Sequence, residues 1–142
     1  MTYDNDHQFE VTFKEVTTQN GLLCQFDDHH GVILLDVTNP FTADDFQNIS
    51  DLIDPYFSTK GELRGIIIHA KKFPYWSGVQ NRAEYLNFAR QNHHKFQKAA
   101  LAMGGFFTQI VARIAKGRVH PQVKTFKYNQ IEKAQDWILE DK

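Results

Sequence analysis

Phe9, Val11 and Phe13 alternate with Glu10, Thr12 and Lys14, and a period of two marks a strand with one face buried. Residues 1–8 ahead of this run are polar and are expected to fray. Gln19-Asn20-Gly21 separates it from a second apolar run at 22–26. Asn-Gly between two strand-like runs predicts a hairpin, because both residues tolerate the positive φ of a tight turn. Residues 27–31 supply another turn, and Val32 to Val37 reads as a buried strand. The chain therefore opens as a three-stranded antiparallel meander.

Near residue 40 the period lengthens. Thr42 precedes Asp45 by three residues, a capping-box spacing that opens a helix with Phe46, Ile49, Leu52 and Ile53 on one face. Pro55 is expected to end or kink that helix, since proline lacks the backbone donor. Gly65-Ile66-Ile67-Ile68-His69-Ala70 is a short β-branched run of the kind found in central parallel strands. Ser77 and Gln80 cap a helix running through about Arg90, with Val79, Ala83 and Leu86 inward. Residues 99–103 form the next strand. Gly104-Gly105 then leads into a helix carrying Phe106, Phe107, Ile110, Val111 and Ile114, which stops at Gly117. A last strand at 123–128 precedes a helix capped by Asn129 and Glu132, with Ile131, Ala134 and Ile138 buried.

The order β-β-β-α-β-α-β-α-β-α predicts an α/β fold. Its sheet is mixed, with an antiparallel N-terminal meander and a parallel centre, and four helices pack on it. A single domain over residues 9–142 accommodates every element, and Gly65 to His69 should lie in the sheet interior.

Composition narrows the function. At 142 residues with 42% hydrophobic positions, the chain can bury one sizeable core. No apolar run approaches the roughly 20 residues of a membrane-spanning helix, and no leader pattern precedes residue 20, so an integral membrane or secreted protein is not expected. Cys24 is the one cysteine, which excludes an internal disulfide and a multi-thiolate zinc site and suits the cytoplasm. The net charge of −1 hides a polarised chain, −8 over residues 1–71 and +7 over 72–142. A pI near 6.6, with the cations spread over several elements, argues against nucleic acid.

Several stretches together resemble a known family. They are Gly31-Val-Ile-Leu-Leu-Asp36, the strand Arg64 to His69, and the ending Glu132-Lys-Ala134-Gln-Asp-Trp137-Ile138. With the β-hairpin start, they resemble the bacterial SpoIIAA-like proteins of the STAS superfamily, sometimes described as related to CRAL-TRIO lipid-binding domains. The resemblance spans residues 9–140. It implies a STAS-like fold and a non-catalytic regulatory or binding role without a cofactor. Some STAS domains are controlled by phosphorylation of a serine just before the helix that follows a central strand, and Ser77 holds that place here. The loop from Lys71 to Ser77 is longer than the family's switch loop and lacks its Asp-Ser-Ser core, and a serine there also serves as an N-cap.

Seven histidines invite a search for chemistry. His29-His30 and His93-His94 are adjacent pairs whose side chains diverge, so neither makes a metal site, and both read as solvated surface histidines. His69 is different. It ends the central strand, and Asp36 ends a neighbouring one, so an Asp–His pair is expected at the carboxyl edge of the parallel strands, where α/β proteins place ligands. Such a pair orients a general base, or it completes a hydrogen bond at a strand end. Gly104-Gly105 lets backbone N–H groups approach an anion, or simply makes a turn. The loop holding Lys71, Lys72, Phe73, Tyr75 and Trp76 joins cations to large aromatics, as in oligomer contacts and apolar pockets.

The candidate ligand- or partner-binding set is thus Asp36, His69, Phe73, Trp76, Gly104 and Gly105, with Ser77 as a possible phosphosite and no metal ligands. Three functions fit. The first is a cytosolic non-catalytic binding or regulatory module, the second a carrier of a small amphipathic or lipid-like ligand, and the third a small enzyme using His69. Nineteen aromatics are more than such a core absorbs, so a homodimer touching near Phe73 to Trp76 is expected as well.

Overall fold

A computed structural model describes residues 14–17, 23–38, 43–71, 87–103 and 121–140. Among these residues six strands form one sheet whose spatial order is also chain order. They are β1 (Lys14–Thr17), β2 (Leu23–Asp27), β3 (Val32–Val37), β4 (Leu63–Ala70), β5 (Phe96–Met103) and β6 (Gln122–Phe126). β1, β2 and β3 are antiparallel to one another, and β3 to β6 run parallel. β4 is paired on both sides, the interior place that its β-branched run predicts.

Three helices occur among the described residues: α1 (Ala43–Lys60), α2 (residues 87–92, continued by a 3-10 turn at His93–Lys95) and α3 (Ile131–Leu139). Four were expected; the stretch read as the remaining one, 105–117, lies outside the described residues. So do the alternation from Phe9 to Phe13, the Asn20-Gly21 turn and the Thr42 cap. Phe73, Trp76, Ser77, Gly104 and Gly105 lie outside them too. Among the described residues no helix is long and apolar enough to cross a membrane.

The sheet is covered on both sides. Cys24, Phe26, Ile33, Leu35, Val37 and Ala70 pack with Ile49 and Ile53 of α1, and Phe88 of α2 stacks on Phe46 at 4.9 Å. Val32, Leu34, Ile67 and Ala100 meet Ala134, Ile138 and Leu139 of α3 on the opposite face. Fully burying each large aliphatic side chain is worth about 1.5–3 kcal/mol, so the two layers carry the fold.

Two local expectations are corrected. Pro55 lies inside α1, which runs on to Lys60. The fully buried Ile53 and the partly buried Tyr56 and Phe57 hold this end on the core, and the Thr59 hydroxyl donates to the Pro55 carbonyl at 2.8 Å. The helix ends at Gly61, whose φ of +92° lets its N–H reach the Phe57 carbonyl at 3.1 Å. The Asn129–Glu132 capping box does not form either. Gln130 is the N-cap of α3, and its side chain accepts from the Lys127 N–H at 3.0 Å.

Candidate functional site at the carboxyl edge

Val37, Ala70 and Met103 are partners in register, so β3, β4 and β5 end level with one another. Each chain leaving the sheet there starts from the same edge. One residue back, Asp36, His69, Ala102 and Phe126 form a row across four parallel strands. Side chains in such a row share a face of the sheet.

Along this row Asp36 and His69 meet as the sequence predicts. The imidazole Nδ1 lies 3.3 Å from Asp36 Oδ1, and Nε2 lies 2.8 Å from the Tyr128 carbonyl oxygen. A carbonyl only accepts, so Nε2 is the donor in that bond. The next position in the row is Ala102, which is fully buried. The phenol ring of Tyr128 stacks on His69 with centroids 4.1 Å apart and planes at 13°. Lys71 Nζ sits 5.8 Å from the centroid of the same phenol ring, within cation–π reach. The His69 side chain is 15% exposed and that of Asp36 37%.

Both contacts of His69 lie within the protein. Both ring nitrogens already face oxygen atoms of the protein, whereas a general base needs a free nitrogen aimed at a substrate. Cys24, the chain's sole thiol, projects from the α1 face of the sheet, and burial, with the Asp45 carboxylate nearby, pushes it up to about 11. It supplies no nucleophile here. Among the described residues no group of three or more His, Cys, Asp and Glu could hold a metal ion.

Tyr128 and Lys71 complete the cluster, and sequence reading gave Tyr128 no part in it, placing it at the end of the last strand. The solvated-surface reading of the histidine pairs is also corrected at His30. Its Nδ1 contacts the buried Asp27 carboxylate at 2.7 Å, and Asp27 accepts from the backbone N–H groups of His29 and His30. Burial alone would raise the Asp27 pKa; these hydrogen bonds and the His30 charge outweigh it and hold the group below the usual carboxylate value.

Cations at the opposite, amino edge are engaged in the fold. Lys98 Nζ donates to the Trp137 and Glu140 carbonyls at 2.7 and 3.0 Å, and Arg64 donates to the Leu139 carbonyl at 2.7 Å. Together they satisfy the carbonyls that the end of α3 leaves open and complement its dipole.

A sequentially ordered mixed sheet, with α1 and α2 on one face and a terminal helix on the other, defines the class as a STAS-like α/β domain. A SpoIIAA-like family model matches residues 32–139, and the chain belongs to the SpoIIAA-like family. Among solved structures, it is similar to an uncharacterised protein from Shewanella loihica with a SpoIIAA-like fold. The TM-score is 0.59 at 14% identity, over 89% of this chain and 92% of that one, a likeness of fold. No curated protein matches the sequence.

Proposed function

We propose that the protein is a non-catalytic cytosolic binding module of the regulatory kind, which receives its partner at the carboxyl edge of the parallel strands. One observation carries this reading: both nitrogens of His69 are engaged within the protein, so the Asp–His pair supports the edge and is not poised for chemistry. The level ends of β3, β4 and β5 support the place. Phe73 and Trp76 follow β4 closely in sequence, and Gly104-Gly105 follow β5 directly. With Asp36 and His69 they are the proposed contact residues.

A second reading, a carrier of a small amphipathic anion, is favoured by the stacked His69–Tyr128 rings and the Lys71 ammonium beside them. Such a surface offers an apolar wall and a positive rim. Self-association through the 73–76 segment belongs to the same proposal, and sedimentation at about ten micromolar protein, a concentration matched to micromolar affinity, tests it by the mass of a dimer.

Native mass spectrometry of freshly purified protein tests both readings, a co-purifying protein partner supporting the first and a bound small molecule the second. It is paired with fluorescence titration of fatty acids and isoprenoid phosphates into wild type, Trp76→Phe and His69→Ala. The carrier reading predicts saturable binding by wild type and weaker binding by both variants. Binding by none, or equally by all three, removes this edge as the site. Turnover that disappears in His69→Ala would make His69 catalytic and overturn the non-catalytic assignment.

A further inference from the structure

We propose that His30 is a phosphoryl-acceptor residue, whose Nε2 takes a phosphoryl group from a donor of the phosphoramidate class at the amino edge of the sheet. The site is separate from the carboxyl edge, and the proposal does not depend on what binds there.

The turn between β2 and β3 builds an Asp–His pair unlike the one at the other edge. Asp27 is 1% exposed and accepts from the backbone N–H groups of His29 and His30 at 2.9 and 3.1 Å. Those bonds favour its ionised form. A carboxylate only accepts, so His30 Nδ1, 2.7 Å from Asp27 Oδ2, carries a hydrogen. The neutral ring then has its lone pair on Nε2. Among the described residues that nitrogen meets no donor or acceptor, and the side chain is 21% exposed. At His69, by contrast, Nε2 is taken by the Tyr128 carbonyl. A buried carboxylate on one ring nitrogen and a free lone pair on the other fix the tautomer and steady the imidazolium that forms when the ring attacks.

The turn is held on several sides. Gly31, at a φ of +72°, donates to the Asp27 carbonyl at 2.8 Å, and its own carbonyl accepts from the Gly65 N–H at 3.2 Å. The Tyr56 ring fills the space that a side chain at residue 31 would need. A nucleophile on a fixed frame loses little freedom on reaching its transition state. Lys60, in the last turn of α1, donates to the Asp28 carbonyl at 3.3 Å. Its ammonium therefore stands at the turn, where it offsets the charge of an incoming phosphoryl group. The Asp28 side chain, which opposes that charge, is exposed and screened by water.

In the step itself the Nε2 lone pair forms a bond to phosphorus while the phosphorus–nitrogen bond of phosphoramidate breaks. The bonding pair leaves with the donor nitrogen, which carries its three hydrogens away as ammonia. No proton is lost from the ring: Nδ1 keeps its hydrogen on Asp27, and the ring's new positive charge faces that carboxylate.

Phosphoramidate added to the full-length protein at neutral pH tests this, with intact mass, phosphorus NMR and peptide mapping without acid as readouts. The first phosphoryl group should go to His30, at least about ten-fold faster than to His29 or His94 in the same molecule, since a positioned carboxylate is what those two rings lack. His30→Gln should lose this fast label and keep the slow ones. Asp27→Asn, checked for native fold by NMR, should slow His30 labelling about ten-fold or more, whereas His29→Gln should leave it unchanged. Label spread evenly over the histidines, or first on another one, overturns the proposal whether or not Asp27→Asn folds. Labelling of His30 as fast in folded Asp27→Asn as in wild type overturns the part assigned to the carboxylate.

Discussion

Gly65 of β4 lies directly beneath Ile138 of α3, so close that a Cβ at residue 65 would stand 2.7 Å from the isoleucine Cγ2. The Lys98 backbone carbonyl closes the other side at 3.1 Å. Gly65→Ala should therefore lower stability by about 1–3 kcal/mol through overpacking. Urea unfolding measures this, and shortening the opposing side chain with Ile138→Val should recover part of the loss.

Lys98 is the second tie of α3. Lys98→Met keeps the aliphatic stem but strips the ammonium from the Trp137 and Glu140 carbonyls. We expect a loss of about 1–3 kcal/mol, the range for leaving buried polar groups unsatisfied. Faster amide hydrogen exchange across α3 than across β3 should accompany it. Uniform acceleration over the whole sheet would show that the contact acts globally and not at this helix end.

The raised thiol of Cys24 has two consequences. With a pKa near 11, it should react with aromatic disulfide reagents at pH 8 only as fast as the protein opens, and rapidly in denaturant. The fold prefers the protonated thiol, so this group's contribution to stability is complete below the unfolded value near 8.5 and is lost as pH rises through about 11. Cys24→Ala should flatten the alkaline limb of a stability profile.

Asp27 acts with the opposite sign. Its folded pKa is lowered, so its contribution is present above the unfolded value near 3.9 and is lost as pH falls through the lower folded one. Removing the ring contact with His30→Ala should raise the Asp27 pKa, read by carboxyl-carbon NMR. It should also shift acid unfolding to higher pH.

The sheet was legible in the sequence because its signals are local. The uninterrupted 32–37 run and the Ile66–Ile68 triplet each decide an element within a few residues. The Asp36–His69 meeting was also legible, since residues ending adjacent parallel strands share an edge. Tyr128 was not. It reaches His69 from beyond the end of β6 through a backbone carbonyl, and backbone acceptors leave no mark on a sequence. Pro55 does not end α1, because packing of Tyr56 and Phe57 on the core outweighs one lost helix hydrogen bond. Asn129 lost the cap of α3 to Gln130, whose side chain folds back onto the Lys127 N–H.

The measurement that bears most directly on the account is NMR chemical-shift mapping of an amphipathic anion, such as a fatty acid, titrated into wild-type protein. Perturbations should gather at Asp36, His69, Lys71, Met103 and Tyr128, where the parallel strands end together. Residues at the amino edge, His30, Arg64 and Lys98 among them, should stay still. Shifts centred on that amino edge, or none at saturating anion, would contradict a binding site at the carboxyl edge.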